Sequence, residues 1–79
     1  MNKEELVKQF NDLAEWETHP FKKRAYLKAG EIIEQMGEEE FRTRDSFKDI
    51  EGIGDAIDKK ILQFKEAGLI EKWKELAAG

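Results

Sequence analysis

The feature that most constrains the fold of this chain is a short segment in its second half, Ile50-Glu51-Gly52-Ile53-Gly54-Asp55. Glycine adopts positive φ and lets another backbone come close, so two glycines separated by one residue predict a tight turn. The isoleucine ahead of each glycine would anchor this turn in the core and leave its N–H groups facing outward. Outward-facing N–H groups of this kind form an anion-binding concavity. The segment therefore predicts a turn suited to a phosphate group.

The residues after the turn have the periodicity of an amphipathic helix. Ile57, Ile61 and Phe64 recur at intervals of four and three residues, which is helical spacing. Asp55 is the predicted N-cap of this helix and Gly68 is its predicted end. A dinucleotide-binding loop also begins with two spaced glycines, but it requires a third glycine where this chain has Ile57. The pattern instead favours a hairpin that joins a short helix to an amphipathic one.

Two helices are predicted before the turn. Apolar residues at helical spacing predict a first helix over residues 3–16, with Asn2 as its cap. Pro20 marks the start of a second helix, because a first helical turn tolerates proline. Either Thr18 or His19 would cap this second helix.

The remaining segments complete an all-α prediction. Gly37 is the predicted stop of the second helix, a short third helix is predicted within residues 41–50, and residues 69–77 continue at helical spacing. No stretch alternates as a strand would, and no linker rich in Pro, Gly or Ser divides the chain. We therefore expect one domain over residues 1–79, a compact bundle of four to five short helices built around the hairpin.

Composition excludes several functions. With 79 residues the chain supports one modest core, and without cysteine it supports neither a disulfide framework nor a thiolate metal site. Its single histidine cannot form a zinc site alone. No apolar run approaches a membrane span in length, and the N-terminus lacks the apolar centre of a signal peptide. We expect no membrane partner and a cytoplasmic location, or a nuclear one in a eukaryote.

The charge of the chain is unevenly distributed. Its net charge is −4, from 14 basic and 18 acidic residues. Residues 20–30 contain four basic residues and no acidic one, whereas residues 31–40 contain five acidic residues and no basic one. Because salt screens charges beyond about 8–10 Å, the basic patch acts almost independently of the acidic one. Cations at a helix start oppose the helix dipole, so Lys22-Lys23-Arg24 favour a phosphate ligand over a solvated face.

In order and spacing, these segments resemble helix-hairpin-helix domains, and among them the N-terminal lyase domain of family X DNA polymerases, the polymerase beta type. The resemblance is strongest over residues 11–72 and rests on Asn11-Asp12-Leu13-Ala14, Phe21 to Ala29, Ile50 to Gly54, Lys60-Ile61 and Gly68-Leu69. It implies a helical domain that binds gapped or nicked DNA through its 5′-phosphate, in repair or replication. Some family members also remove a 5′-deoxyribose phosphate. The polymerase fold lies outside the resemblance.

The resemblance assigns roles to side chains of this chain. Lys60 matches the lysine that forms a Schiff base in lyase members, and Tyr26 matches a tyrosine near that site. Lys22 and Lys72 match phosphate-contacting lysines, and Lys28 would join them around one phosphate. A Schiff-base lysine needs an uncharged amine near neutral pH, which burial and neighbouring cations favour.

The hairpin receives its roles in the same way. The resemblance implies that a DNA phosphate is bound by the backbone of Gly52, Ile53, Gly54 and Asp55. It also implies a monovalent cation, sodium or potassium, at the backbone carbonyls of Lys48, Ile50 and Ile53, while no cofactor is required. Four positions depart from the family pattern: Phe21 replaces a histidine, Ala56 a basic residue, Asp58 a small alanine and Lys59 an acid.

Three functions stay open on the sequence. They are a nonspecific DNA-binding module, a 5′-deoxyribose-phosphate lyase, and a protein-interaction domain of the sterile alpha motif kind, which has a similar glycine-containing turn. Aromatic residues do not separate these alternatives, because Tyr26, Phe21, Trp16 and Trp73 lie on or beside apolar stripes. Such positions predict core or rim residues and not base-stacking platforms.

Overall fold

The computed structural model describes residues 2–79 and contains five helices over that range. They are α1 (Lys3–Trp16), α2 (Pro20–Gln35), α3 (Glu38–Thr43), α4 (Asp55–Ala67) and α5 (Glu71–Ala78). Because no strand occurs among the described residues, the all-α prediction is confirmed. Met1, which the predicted domain includes, lies outside the described residues. Across residues 2–79, no helix is both long and apolar enough to span a bilayer.

The starts of α1 and α2 follow the sequence predictions. Asn2 caps α1, since its side-chain oxygen accepts a hydrogen bond from the N–H of Glu4 at 2.9 Å. His19 and not Thr18 caps α2, since His19 Nδ1 accepts from the N–H of Phe21 at 3.3 Å. The predicted bounds of the first helix are confirmed, and α1 packs along α2.

The third helix is not where the sequence analysis predicted it. It spans Glu38–Thr43 instead of lying within residues 41–50, and Gly37 precedes it as N-cap instead of ending α2. Its first turn holds three glutamates, which the positive end of a helix dipole stabilises. Its end is closed by Lys65 of α4, whose Nζ donates to the carbonyl oxygen of Arg44 and to two carbonyls of the last turn. The chain after Arg44 is therefore a non-helical connection that leads into the hairpin.

The core is one cluster to which that connection also contributes. Its largest fully buried side chains are Leu6, Phe10, Leu13, Ile33, Phe47, Ile61, Phe64 and Ile70. Phe47 lies in the connection, so the segment before the hairpin is anchored although it is not helical. The helix α5 buries no residue completely and is attached at its first turn, where Trp73 Nε1 donates to Asp12 Oδ2 at 2.9 Å.

Candidate nucleic-acid interface

The glycine segment forms two consecutive turns ahead of α4. The N–H of Ile50 donates to the carbonyl of Phe47 at 3.1 Å, and the N–H of Ile53 donates to the carbonyl of Ile50 at 3.0 Å. Ile53 is buried and Ile50 is half-buried, so the isoleucines anchor the turn as predicted. Gly52 has a φ of +99°, a conformation that costs glycine little and other residues much more. We call residues 50–54 the hairpin.

Gly52 is further constrained by α2, which passes beneath it. A Cβ added at Gly52 would lie 3.3 Å from Ile32 Cδ1 and 3.3 Å from Lys28 Cγ. The alkyl chain of Lys28 thus lies against the hairpin, and its Nζ is 3.9 Å from Glu31 Oε1. The positive φ therefore favours glycine at this position, and the side chains of α2 would have to shift slightly to admit a Cβ.

Gly54 differs from Gly52 in both respects. Its φ is −92°, and a Cβ added there would meet nothing within 4 Å. The prediction that Asp55 caps α4 is wrong: Gly54 is the N-cap, because its carbonyl accepts the first helical hydrogen bond, from the N–H of Asp58 at 2.9 Å. Asp55 is the first helical residue, with an exposed carboxylate 3.8 Å from Lys48 Nζ. No contact within residues 2–79 requires glycine at position 54.

The hairpin presents unpaired backbone donors. Over the described part of the chain, no protein group accepts a hydrogen bond from the N–H of Gly52 or of Gly54. Both residues are exposed, and Gly54 lies at the N-terminus of α4, where the helix dipole is positive. The hairpin is therefore suited to an anionic oxygen.

A second feature, a pocket of about 210 Å³, adjoins the hairpin. We call it the lysine pocket; its lining residues are Lys22, Ala25, Tyr26, Ala56, Ile57, Lys60 and Lys72. Ala56 and Ile57 belong to the first turn of α4, directly after Gly54, so this turn separates the pocket from the hairpin. The structure thus brings together four residues that the sequence analysis had singled out, Lys22, Tyr26, Lys60 and Lys72.

Tyr26 forms the floor of the lysine pocket. It is 4% exposed, and its hydroxyl accepts a hydrogen bond from Lys72 Nζ at 3.3 Å. The Nζ atoms of Lys60 and Lys72 lie 6.0 and 5.8 Å from the centroid of its ring, within cation–π range. On its other side the ring packs against Phe10, with the centroids 6.3 Å apart. Tyr26 therefore positions both ammonium groups from the core.

The lysine pocket changes the acid–base properties of its members. Burial lowers the pKa of Lys60 from its ordinary value of 10.5, and the positive charges of Lys72, Lys22 and Lys59 lower it further. A carboxylate partly offsets these charges, since Glu17 Oε1 lies 3.8 Å from Lys72 Nζ. The pKa of Glu17 is lowered, chiefly by a hydrogen bond from the N–H of His19. The pocket is thus an electropositive site in which one amine is more easily deprotonated than usual.

Other predicted residues lie outside the lysine pocket. Lys28 lies beside the hairpin, and Lys23 turns away to α1, where its Nζ donates to the carbonyl of Ala14 at 2.7 Å. The basic run of residues 22–24 is therefore divided between the lysine pocket, which Lys22 lines, and the end of α1, which Lys23 caps. Phe21 is 74% exposed, so the prediction of a core or rim position is wrong for it. It lies in the first turn of α2, where the centroid of its ring is 5.9 Å from that of His19.

Sequence reasoning gave no role to Asp58 and Glu17. Asp58 is buried in the first turn of α4, where its Oδ1 accepts from the N–H of Phe47 at 2.7 Å. A charged residue next to Ile57 on the buried face of α4 was the available signal. No local pattern could have identified Glu17, because it lies in the connection after α1 and meets Lys72 only through the fold.

Together, the bundle, the hairpin and the lysine pocket define a small all-α module with one face that is suited to anions. A sequence profile described as helix-hairpin-helix domain matches residues 1–70, so the chain belongs to the helix-hairpin-helix domain family. Domains of this family generally bind DNA without sequence specificity. Searches of curated proteins and of solved structures returned no match. No homologue supports the finer resemblance to the polymerase beta type, which rests on the matching residues of this sequence alone.

Proposed function

We propose that this domain binds DNA without reading its sequence and prefers gapped or nicked duplex with a 5′-phosphate. The observation that carries the proposal is the placement of the hairpin and the lysine pocket on either side of the first turn of α4. The hairpin offers N–H donors to a phosphate of the continuous backbone. The lysine pocket offers ammonium groups to a terminal phosphate, which carries about −1.5 to −2 charge against −1 for an internal phosphate.

The groups that the hairpin and the lysine pocket offer do not distinguish one base from another. Backbone N–H groups and lysines contact phosphate oxygens, which are the same at every nucleotide. Sequence readout needs bidentate side chains at base edges, such as Arg on guanine or Asn on adenine. We therefore expect a selection from random DNA to yield no consensus, and a strong consensus would contradict the proposal.

The hairpin also has the donor set for the proposed monovalent cation. The carbonyl of Ile50 accepts one hydrogen bond, from Ile53, and has a second lone pair. Over residues 2–79, the carbonyls of Lys48 and Ile53 accept no hydrogen bond. Three carbonyl oxygens suit a hard cation, so these residues would hold sodium or potassium. Such an ion would add positive charge beside the bound phosphate.

A titration tests the DNA-binding proposal. The protein is titrated into gapped duplex with a 5′-phosphate, intact duplex and single-stranded DNA, each at two salt concentrations. We expect gapped duplex to bind best and every affinity to fall steeply with salt, because lysines release counterions from phosphates. Absence of binding at low salt would overturn the proposal and leave protein interaction as the remaining function. The family match favours the helix-hairpin-helix assignment over the sterile alpha motif alternative.

The lowered pKa of Lys60 favours a second candidate function, 5′-deoxyribose-phosphate lyase. An uncharged Lys60 amine would attack the aldehyde carbon of an abasic 5′-end, and loss of water would give an imine. Removal of a proton from the adjacent carbon would then expel the 3′-phosphate oxygen, and water would hydrolyse the imine to free the amine. Tyr26 would position Lys60 and Lys72 during these steps.

Reductive trapping tests the lyase candidate. Borohydride reduces the imine to a stable amine, so an active protein becomes covalently attached to DNA with an abasic 5′-end. A trapped adduct would support the candidate. If the protein binds gapped DNA but gives no adduct, the departures at Phe21 and Ala56 explain a domain that binds without reacting.

A further inference from the structure

The hairpin depends on a residue of α4, and we infer that Asp58 positions it for phosphate. This inference rests on the proposed DNA-binding function. Asp58 is 6% exposed and is the one buried carboxylate among residues 2–79. It stands where helix-hairpin-helix domains usually have a small alanine, so the role that we infer for it is specific to this chain.

Asp58 holds both ends of the segment from Phe47 to Gly54. Its Oδ1 accepts from the N–H of Phe47 at 2.7 Å, and its own N–H donates to the carbonyl of Gly54 at 2.9 Å. Between these ends, the turn bonds from Ile50 to Phe47 and from Ile53 to Ile50 measure 3.1 and 3.0 Å. The four bonds follow one another in series, so Asp58 closes the loop that carries the unpaired N–H groups.

This closure fixes the direction of the phosphate donors before DNA arrives. A loop that must be ordered on binding loses affinity, whereas a preorganised loop does not. Without the carboxylate, the buried N–H of Phe47 would lack its acceptor, which is costly enough to favour another loop conformation. The free N–H groups of Gly52 and Gly54 would then lose the positions that the closed loop gives them.

The negative charge of Asp58 and its hydrogen bond to Phe47 have opposite effects on phosphate binding. A carboxylate in the first turn of α4 repels the phosphate that the hairpin is proposed to bind. The hydrogen bond needs only an acceptor oxygen, which an asparagine side chain also provides. Since no buried side-chain nitrogen or oxygen in the described chain lacks a partner, the second Asp58 oxygen reaches solvent, and an amide nitrogen there could be hydrated. Replacing Asp58 by asparagine can therefore remove the negative charge and keep the hydrogen-bond acceptor.

The experiment compares Asp58→Asn with Asp58→Ala on gapped duplex at two salt concentrations. We expect Asp58→Asn to bind at least as tightly as wild type, because the acceptor stays and the repulsion is gone. We expect Asp58→Ala to bind about tenfold more weakly at both salt concentrations. The salt slope of Asp58→Ala should match wild type, because the lysines that release counterions are unchanged. Amide hydrogen exchange of Phe47 reads the closure directly and should accelerate only in Asp58→Ala.

Asp58→Glu covers the case in which Asp58→Ala does not fold, because it keeps the charge but displaces the acceptor oxygen; its expected affinity is also reduced. The inference is overturned if wild type binds and Asp58→Ala binds equally well, or if Asp58→Asn loses as much affinity as Asp58→Ala. Absence of DNA binding by wild type would overturn the proposed function and the phosphate role of Asp58 together. Phe47 exchange would then still report whether Asp58 closes the loop.

Discussion

The hairpin and the lysine pocket adjoin on one face but contain different chemical groups. The hairpin presents backbone N–H groups that turn hydrogen bonds hold in place, and its anchors Ile53 and Phe47 are buried. The lysine pocket presents charged side chains around one buried tyrosine. Neutral N–H donors bind phosphate through correctly placed hydrogen bonds, whereas ammonium groups attract it by their positive charge. The hairpin should therefore set affinity at all salt concentrations, and the pocket should set salt dependence and the preference for a terminal phosphate.

The largest effect is expected at Lys60, in the proposed lyase reaction. Lys60→Ala should abolish most of the borohydride-trapped adduct, because the attacking amine is removed. Adduct yield on a denaturing gel is the measurement. Lys59→Ala is the matched control, since Lys59 precedes it on α4, is exposed, and does not line the lysine pocket. It should keep most of the adduct, because its charge is the smallest of the causes that lower the pKa of Lys60. Equal yields from Lys60→Ala and wild type would place the nucleophile elsewhere.

The lowered pKa of Lys60 also predicts a pH profile. The uncharged amine is the reactive form, so trapping should increase with pH and reach half its maximum below 10.5, the ordinary lysine value. Replacing Lys22 and Lys72 by alanine removes two neighbouring cations, which raises the pKa of Lys60 and moves the profile to higher pH. A profile that does not move would show that the charges of Lys22 and Lys72 do not lower this pKa.

The next largest effect is expected in DNA binding by the pocket. The double variant Lys22→Ala/Lys72→Ala should lose the preference for a 5′-phosphate over a 5′-hydroxyl end. Its salt slope should decrease by about 1.8 in magnitude, or about 0.9 for each lysine removed. Lys74→Ala is the control, because Lys74 is an exposed lysine of α5 outside the pocket. An unchanged end preference in the double variant would separate the pocket from phosphate recognition.

A smaller effect is expected at the hairpin, where one substitution at two positions gives different results. Gly54→Thr should fold with stability within about 0.5 kcal/mol of wild type, since threonine caps helices about as well as glycine. It should bind every DNA form about two- to tenfold more weakly, with an unchanged salt slope, because its side chain blocks the approach to the N–H groups. Thermal unfolding and titration are the measurements.

Gly52→Thr makes the same substitution at the other glycine of the hairpin. Threonine at positive φ, with its Cβ against Ile32 and Lys28, should cost about 1–3 kcal/mol of stability in addition to affinity. Wild-type affinity in Gly54→Thr would show that phosphate does not approach the hairpin.

The smallest effect is expected from the attachment of α5, which carries Lys72. Asp12→Ala removes the acceptor of Trp73 Nε1 and should lower stability by about 1 kcal/mol. The pKa of Asp12 is lowered from 3.8, chiefly by the Trp73 hydrogen bond. The stabilisation is therefore present above pH 3.8 and is lost as pH falls through the lower folded-state pKa. Thermal unfolding of wild type and variant should converge at low pH, and a constant difference would contradict this.

Local signals were sufficient for much of the fold. Asn2, Pro20 and Gly68 punctuate the chain where the helices begin and end, and Gly68 has the left-handed conformation expected of a helix stop. The third helix was misplaced because Phe47 and Ile50 are three residues apart, as on one face of a helix, although both lie in the non-helical connection and hairpin. Lys65, which closes that helix, lies more than 20 residues away in sequence. The periodicity of apolar residues does not reveal contacts between residues so far apart in sequence.

The candidate site was predictable in its parts but not in its connections. The glycine spacing identified the hairpin, and resemblance placed Lys60 and Lys72 near Tyr26, which the structure also brings together. The use of Lys23 as a helix cap was not predictable, because its acceptor is a carbonyl of α1. The distinct reasons for Gly52 and Gly54 were also hidden, since sequence shows residue type and not φ.

The most direct measurement of the central claim is an NMR titration of ¹⁵N-labelled protein with gapped duplex that carries a 5′-phosphate. The account predicts that the amides of Gly52 and Gly54 shift together with residues of the lysine pocket. The acidic residues of α3 should stay unchanged. Shifts confined to α3 or to the C-terminal half of α2, with the hairpin amides unmoved, would contradict it.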